Sequence, residues 1–178
     1  MIKNLKNKFN KETVFFIGLF LYLFQNFMRT TTFVDIIPSI IFSIIKYAGL
    51  GILLVKAVFL DNYSVNTILV SILFLFIALF SFYFSSEQVM LVILFMIFSC
   101  KGIEYRKILK LFLYVEIPLL LVTIVFSKLG IIENLVYNRD ENTIRQSLGV
   151  VYPTDFAAHV YFIMLAYIIY LSFKDKQI

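Results

Sequence analysis

The chain has 178 residues, of which 61% are hydrophobic and 15% charged, with a net charge of +5. Soluble domains usually carry about 45–50% apolar and about 25% charged residues, so this composition excludes an ordinary soluble domain and points to lipid as the solvent. The basic excess does not call for a nucleic-acid partner, because the charges gather at the ends of hydrophobic runs, where membrane topology needs them. A single Cys, Cys100, excludes an internal disulfide and leaves the redox compartment open. The 21 Phe and 11 Tyr suit lipid contact, although no Trp is present for an interfacial belt.

Six hydrophobic runs follow one another along the chain, at about 13–28, 36–60, 65–84, 89–103, 109–126 and 155–173. A membrane-spanning helix needs ~20 mainly apolar residues, with ~17–25 as the workable range. The first and fourth runs are short, which suits a tilted or partly interfacial placement. The first also has the basic start of a signal peptide, but no small-residue cleavage site follows Phe27-Met28-Arg29, so it reads as a retained span. The predicted fold is all-α, a polytopic membrane helix bundle of about six transmembrane helices forming one domain over 1–178.

Basic residues predict its orientation. With the N-terminus in the cytoplasm, one side collects Lys3, Lys6, Lys8, Lys11, Lys56, Lys101, Arg106, Lys107, Lys110, Lys174 and Lys176. The other side collects Arg29, Lys128, Arg139 and Arg145, with Lys46 left inside the bilayer. That asymmetry predicts both termini in the cytoplasm and the loop 127–154 outside. Lys46 and Glu116 sit within apolar runs, where charge is costly, so they are expected to face the bundle. One expectation pairs them, and the other lets Glu116 snorkel to the headgroups beside Lys110.

The outer loop has no obvious secondary structure of its own, and loops of that length are more often functional or disordered than plain connectors. Apolar patches at Ile131-Ile132 and Val150-Val151 argue against disorder. Gly149 permits a turn, Pro153 suits the approach to a helix, Thr154 is a candidate N-cap, and Asp155 complements the positive end of the helix dipole. Soluble-enzyme signatures are missing: no phosphate-cradling glycine loop, no Cys/His metal spacing and no nucleophile elbow. Asp155 and the only histidine, His159, lie one helical turn apart on one face. They either solvate the outer end of the sixth helix or form, with Arg145, a pocket for an anionic or sugar substrate. Arginine suits the second role because its planar fork binds phosphate oxygens in pairs.

Arg145, then Ser147-Leu148-Gly149, then Tyr152-Pro153-Thr154-Asp155-Phe156-Ala157-Ala158-His159 resembles an element of the bacterial O-antigen polymerase and ligase superfamily. In that family an Arg, a Leu-Gly pair and an aromatic-or-His/Pro/Asn-or-Thr element precede a transmembrane helix. Here Tyr152 stands where many members have His, and Thr154-Asp155 where many have Asn. The resemblance covers about fifteen residues; over the rest of the chain it is one of hydropathy only. Family members have about twice as many spans, so the chain is expected to be an amino-terminal part.

The resemblance implies joining of polyprenyl-pyrophosphate-linked oligosaccharide repeat units into capsular, exo- or O-antigen polysaccharide at the outer face of the bacterial cytoplasmic membrane. A flippase and a chain-length regulator are the further partners it suggests. It implies a catalytic set of Arg145, His159 and Asp155, with Arg139, Tyr152 and Thr154 binding substrate. Neither a metal nor another cofactor is expected, since arginines supply the positive charge. Two other classes fit a small multispan protein: a transporter, and a non-catalytic membrane subunit. A transporter predicts paired broken helices in two related halves, and no such repeat is visible in the sequence.

Overall fold

The computed structural model describes the backbone of residues 2–86, 88–140 and 143–174, and the side chains of 11–86, 88–138 and 144–173. Its helices are α1 (Ile2–Met28), α2 (Ser39–Val55), α3 (Val65–Ser85), α4 (Val89–Ser99), α5 (Tyr105–Lys128) and α6 (Pro153–Lys174). A 3-10 turn, Thr32–Asp35, leads into α2, and a π-helical turn, Lys56–Leu60, extends it. The all-α bundle therefore forms from the six predicted runs. Among the described residues, four helical segments are long and apolar enough to cross a membrane: Ser39–Leu60, Val65–Ser85, Tyr105–Lys128 and Pro153–Phe173.

The other two helices fall outside that set for physical reasons. The apolar stretch of α1 is diluted by Lys11 and Glu12 on one side and Gln25 and Asn26 on the other. The 11 residues of α4 rise only ~16 Å, about half of a ~30 Å hydrocarbon core.

The chain divides into two compact units, and α1 and α2 contribute to both. The first unit comprises Met1–Leu19 and Ala48–Ile103. A Cβ at Gly18 would lie 2.9 Å from the Leu53 side chain and 3.0 Å from the Gly49 carbonyl oxygen, so α1 approaches α2 where only hydrogen fits. Ser64 caps α3 by accepting from the Thr67 backbone N–H at 3.3 Å. Most α3 side chains remain exposed, among them Leu69, Phe76 and Phe80. Such a surface is costly in water and costs nothing against lipid tails.

Charge in this unit is concentrated around Lys56, which is fully buried. Its three ammonium hydrogens have three acceptors: Asp61 Oδ2 at 2.7 Å, and the Ser99 and Lys101 carbonyl oxygens at 2.6 Å each. Those carbonyls lie at the end of α4, so Lys56 acts as a C-terminal cap supplied by another helix. Asp61 also faces Lys11 at 3.6 Å, and the Lys101 ammonium donates to the Asn62 carbonyl. Nearby, burial and the Asp61 carboxylate push the Tyr63 phenol above its ordinary value, so it keeps its proton and donates to the Phe98 carbonyl at 3.0 Å.

The second unit comprises Phe20–Tyr47 and Glu104–Ile178. Phe27, Met28, Phe42 and Leu120 form its buried core, with Ile124, Phe156 and Val160 packed against them. The 127–154 segment, expected to lack regular structure, folds as an antiparallel hairpin of β1 (Val136–Asp140) and β2 (Thr143–Gln146). The pairing sets Tyr137 opposite Arg145 and becomes irregular between Asn138 and Asp140. Alternation over so few residues is too weak a signal to show a strand beforehand.

Beyond the hairpin the chain is tied to the end of α1. Thr31 bridges Val150, the Thr32 N–H donates to the Gly149 carbonyl at 2.9 Å, and the Val151 N–H donates to the Thr30 carbonyl at 2.7 Å. Gly149 has φ +87, and a Cβ there would lie 2.9 Å from both Ile132 and Ser127 side chains. Both facts exclude a larger residue at the bend that leads into α6.

Candidate functional site

α5 and α6 pack against each other in the second unit, and the end of α1 completes a groove beside them. The groove has a volume of about 450 Å³. Leu109, Phe112, Phe162, Leu165 and Ile169 make most of it apolar, while Asn26, Thr30, Glu116, Asp155 and His159 supply its polar groups. The apolar lining is what a helix pair designed for lipid exposes. The polar lining is unusual and contains every charged side chain of the groove.

Glu116 and His159 are joined directly, with Nδ1 of the imidazole 3.1 Å from Oε2 of the carboxylate. Nε2 on the other side of the ring lies 2.8 Å from the Thr30 hydroxyl oxygen. Glu116 is only 4% exposed, and the Phe27 ring packs 4.6 Å from the imidazole, centroid to centroid. A carboxylate inside an apolar helix needs a partner, because leaving it unpaired in low dielectric costs several kcal/mol. The imidazole is that partner. Its orientation is set from both sides, which is how a carboxylate prepares a histidine to move protons through its far nitrogen.

The predicted site residues divide accordingly. Asp155, in the first turn of α6, and His159, one turn later, both line the groove. Arg145 is exposed on β2, opposite Tyr137, and is not among the groove's lining residues. Tyr152 is exposed and its ring lies 5.8 Å from that of Tyr137, whose hydroxyl donates to the Val151 carbonyl at 2.8 Å. Thr154 is exposed too, and it lies within α6 rather than capping it, since the helix begins at Pro153. Proline at the first helical position loses no hydrogen bond, because that N–H has no partner in the helix. The backbone of Arg139 belongs to β1, and its side chain lies outside the described residues.

Thr30 and the partner of Glu116 escape the sequence reading. Thr30 follows the first hydrophobic run and carries no motif. Glu116 is conspicuous in an apolar run, but periodicity cannot show which titratable group of another helix it meets. Lys46 was one candidate; its ammonium lies 5.6 Å from the Tyr47 ring centroid, while the Glu116 carboxylate meets His159. Among the described residues, no group of three or more His, Cys, Asp or Glu side chains is placed to hold a metal ion. Comparison with family models, with curated proteins and with solved structures finds no match.

Proposed function

We propose that the chain takes part in joining lipid-pyrophosphate-linked oligosaccharide repeat units into capsular, exo- or O-antigen polysaccharide, at the outer face of a bacterial cytoplasmic membrane. The observation that carries this reading is the Glu116–His159–Thr30 cluster on the wall of an otherwise apolar groove. A lipid-linked sugar presents both matching chemistries, a long apolar chain and a hydroxyl that must lose a proton. In the reaction the acceptor hydroxyl oxygen bonds to the reducing-end carbon of the donor. The bond from that carbon to pyrophosphate breaks, and polyprenyl pyrophosphate leaves. The hydroxyl proton passes to Nε2 of His159, with Glu116 orienting the ring. Arg145, on the exposed hairpin, binds the pyrophosphate and neutralises the charge developing on it.

Arg145→Ala is therefore expected to abolish long-chain polysaccharide while the protein stays in the membrane. Arg145→Lys should rescue poorly, since a point charge cannot reproduce a bidentate fork. Chain-length profiles from cells carrying each variant test this, and a normal profile with Arg145→Ala removes Arg145 from the reaction.

The orientation rests on the excess of basic residues on one side. Reporter fusions at Ile178 and near Asn142 should give opposite signals, cytoplasmic for the first and external for the second. External activity at Ile178 would overturn the span count.

A second reading is favoured by the same buried acid–histidine pair, because titratable groups inside a membrane often carry protons in transporters. In that reading the chain is a small multispan transporter. Proton-coupled solute uptake into vesicles containing the purified chain, lost with Glu116→Gln, would select it over the polymerase.

A further inference from the structure

Thr30 has one hydroxyl proton and two neighbours that could receive it. Its Oγ1 lies 2.7 Å from the Phe27 carbonyl oxygen and 2.8 Å from Nε2 of His159. A separation of about 2.7 Å is that of an O–H···O hydrogen bond; two oxygens without a proton between them repel at such a distance. A carbonyl cannot donate, so the hydroxyl proton lies toward Phe27. Oγ1 then faces the imidazole as an acceptor, and Nε2 must carry a hydrogen.

The same accounting applies across the ring. Nδ1 lies 3.1 Å from Oε2 of Glu116. If Nε2 carries the only ring hydrogen, Nδ1 is a bare lone pair, and a carboxylate opposite it is another. One more proton has to sit between them, making either an imidazolium beside a carboxylate or a neutral imidazole beside a carboxylic acid. Both arrangements place a hydrogen in each of the three contacts that run from Glu116 Oε2 through His159 and Thr30 to the Phe27 carbonyl.

We infer that the buried Glu116–His159 pair holds one proton at rest, beyond a carboxylate and a neutral imidazole, and releases it through Nε2 to water when the Thr30 hydroxyl turns toward the ring. On release Nε2 keeps the lone pair, Nδ1 keeps a hydrogen directed at ionised Glu116, and the Thr30 hydroxyl donates to Nε2. The pair goes from neutral to a charge of minus one, and no electrons are exchanged. The other titratable groups lining the groove are Asp155 on α6 and Tyr105 on α5; α1 brings only the uncharged Asn26 and Thr30. His159 is thus a proton donor at rest and becomes the acceptor required by the proposed transfer only after release. That consequence rests on the polymerase reading, whereas the resting proton does not.

His159 is the only histidine in the chain, so nitrogen-15 labelling of histidine reports this one ring. Spectra of the full chain in lipid bilayers at neutral pH should show hydrogen on Nε2. They should also show either hydrogen on Nδ1 or, by infrared spectroscopy, a carboxylic-acid band that Glu116→Gln removes and Asp155→Asn leaves in place. A bare Nε2 overturns the inference. So does hydrogen on Nε2 with a bare Nδ1 and either no acid band or one that only Asp155→Asn removes. None of these measurements needs turnover, so a failure here is separate from a failure of the polymerase reading.

Discussion

Replacing His159 with Gln is expected to slow polysaccharide elongation by about 10²–10⁴-fold, the usual contribution of a positioned general acid or base. Glutamine keeps a donor toward Glu116, so the carboxylate is not left bare and the protein should remain in the membrane at near-normal abundance. What is lost is a group that can both take and give a proton. Chain length and elongation rate measured for both proteins decide the matter. Native elongation with His159→Gln would remove the histidine from the chemistry and leave its pairing with Glu116 a structural one.

Asp61→Ala is expected to be the most destabilising single change in the first unit, by about 3–5 kcal/mol, because it strands a buried charge. Lys56 has no exposed surface through which to reach water, and its remaining partners are neutral carbonyls. Lys56→Met should cost less than Asp61→Ala. It removes the charge that demands compensation and leaves Asp61 beside Lys11. The buried Ser99 carbonyl loses its donor, at roughly 1–3 kcal/mol, whereas the carbonyl of exposed Lys101 can turn to water. Denaturant or thermal unfolding in mild detergent gives the order of the two variants. Equal stabilities for Asp61→Ala and the native protein would mean that water reaches Lys56 and that its burial is not functionally closed.

The membrane class, the all-α architecture and the places of the six helices follow from the sequence, because hydrophobic run length is itself the physical quantity that lipid selects. Helix ends were less legible. α5 begins at Tyr105, ahead of the apolar run that starts at residue 109, since backbone hydrogen bonds continue through Arg106 and Lys107 regardless of their polarity. The pairing of Asp155 and His159 on one face of α6 was equally legible, because residues four apart in a helix must share a face.

Other features depended on contacts between residues far apart in the chain. The pairing of β1 with β2 is held by a register that alternation over four or five residues does not specify. Lys56 finds Ser99 and Lys101 across more than forty residues, and Thr30 finds His159 across 129. Glu116 could be read as needing a partner, because a buried carboxylate always does. That the partner is His159 was decided by how α5 packs on α6, since helical periodicity gives each helix a face but not the neighbour that the face will meet.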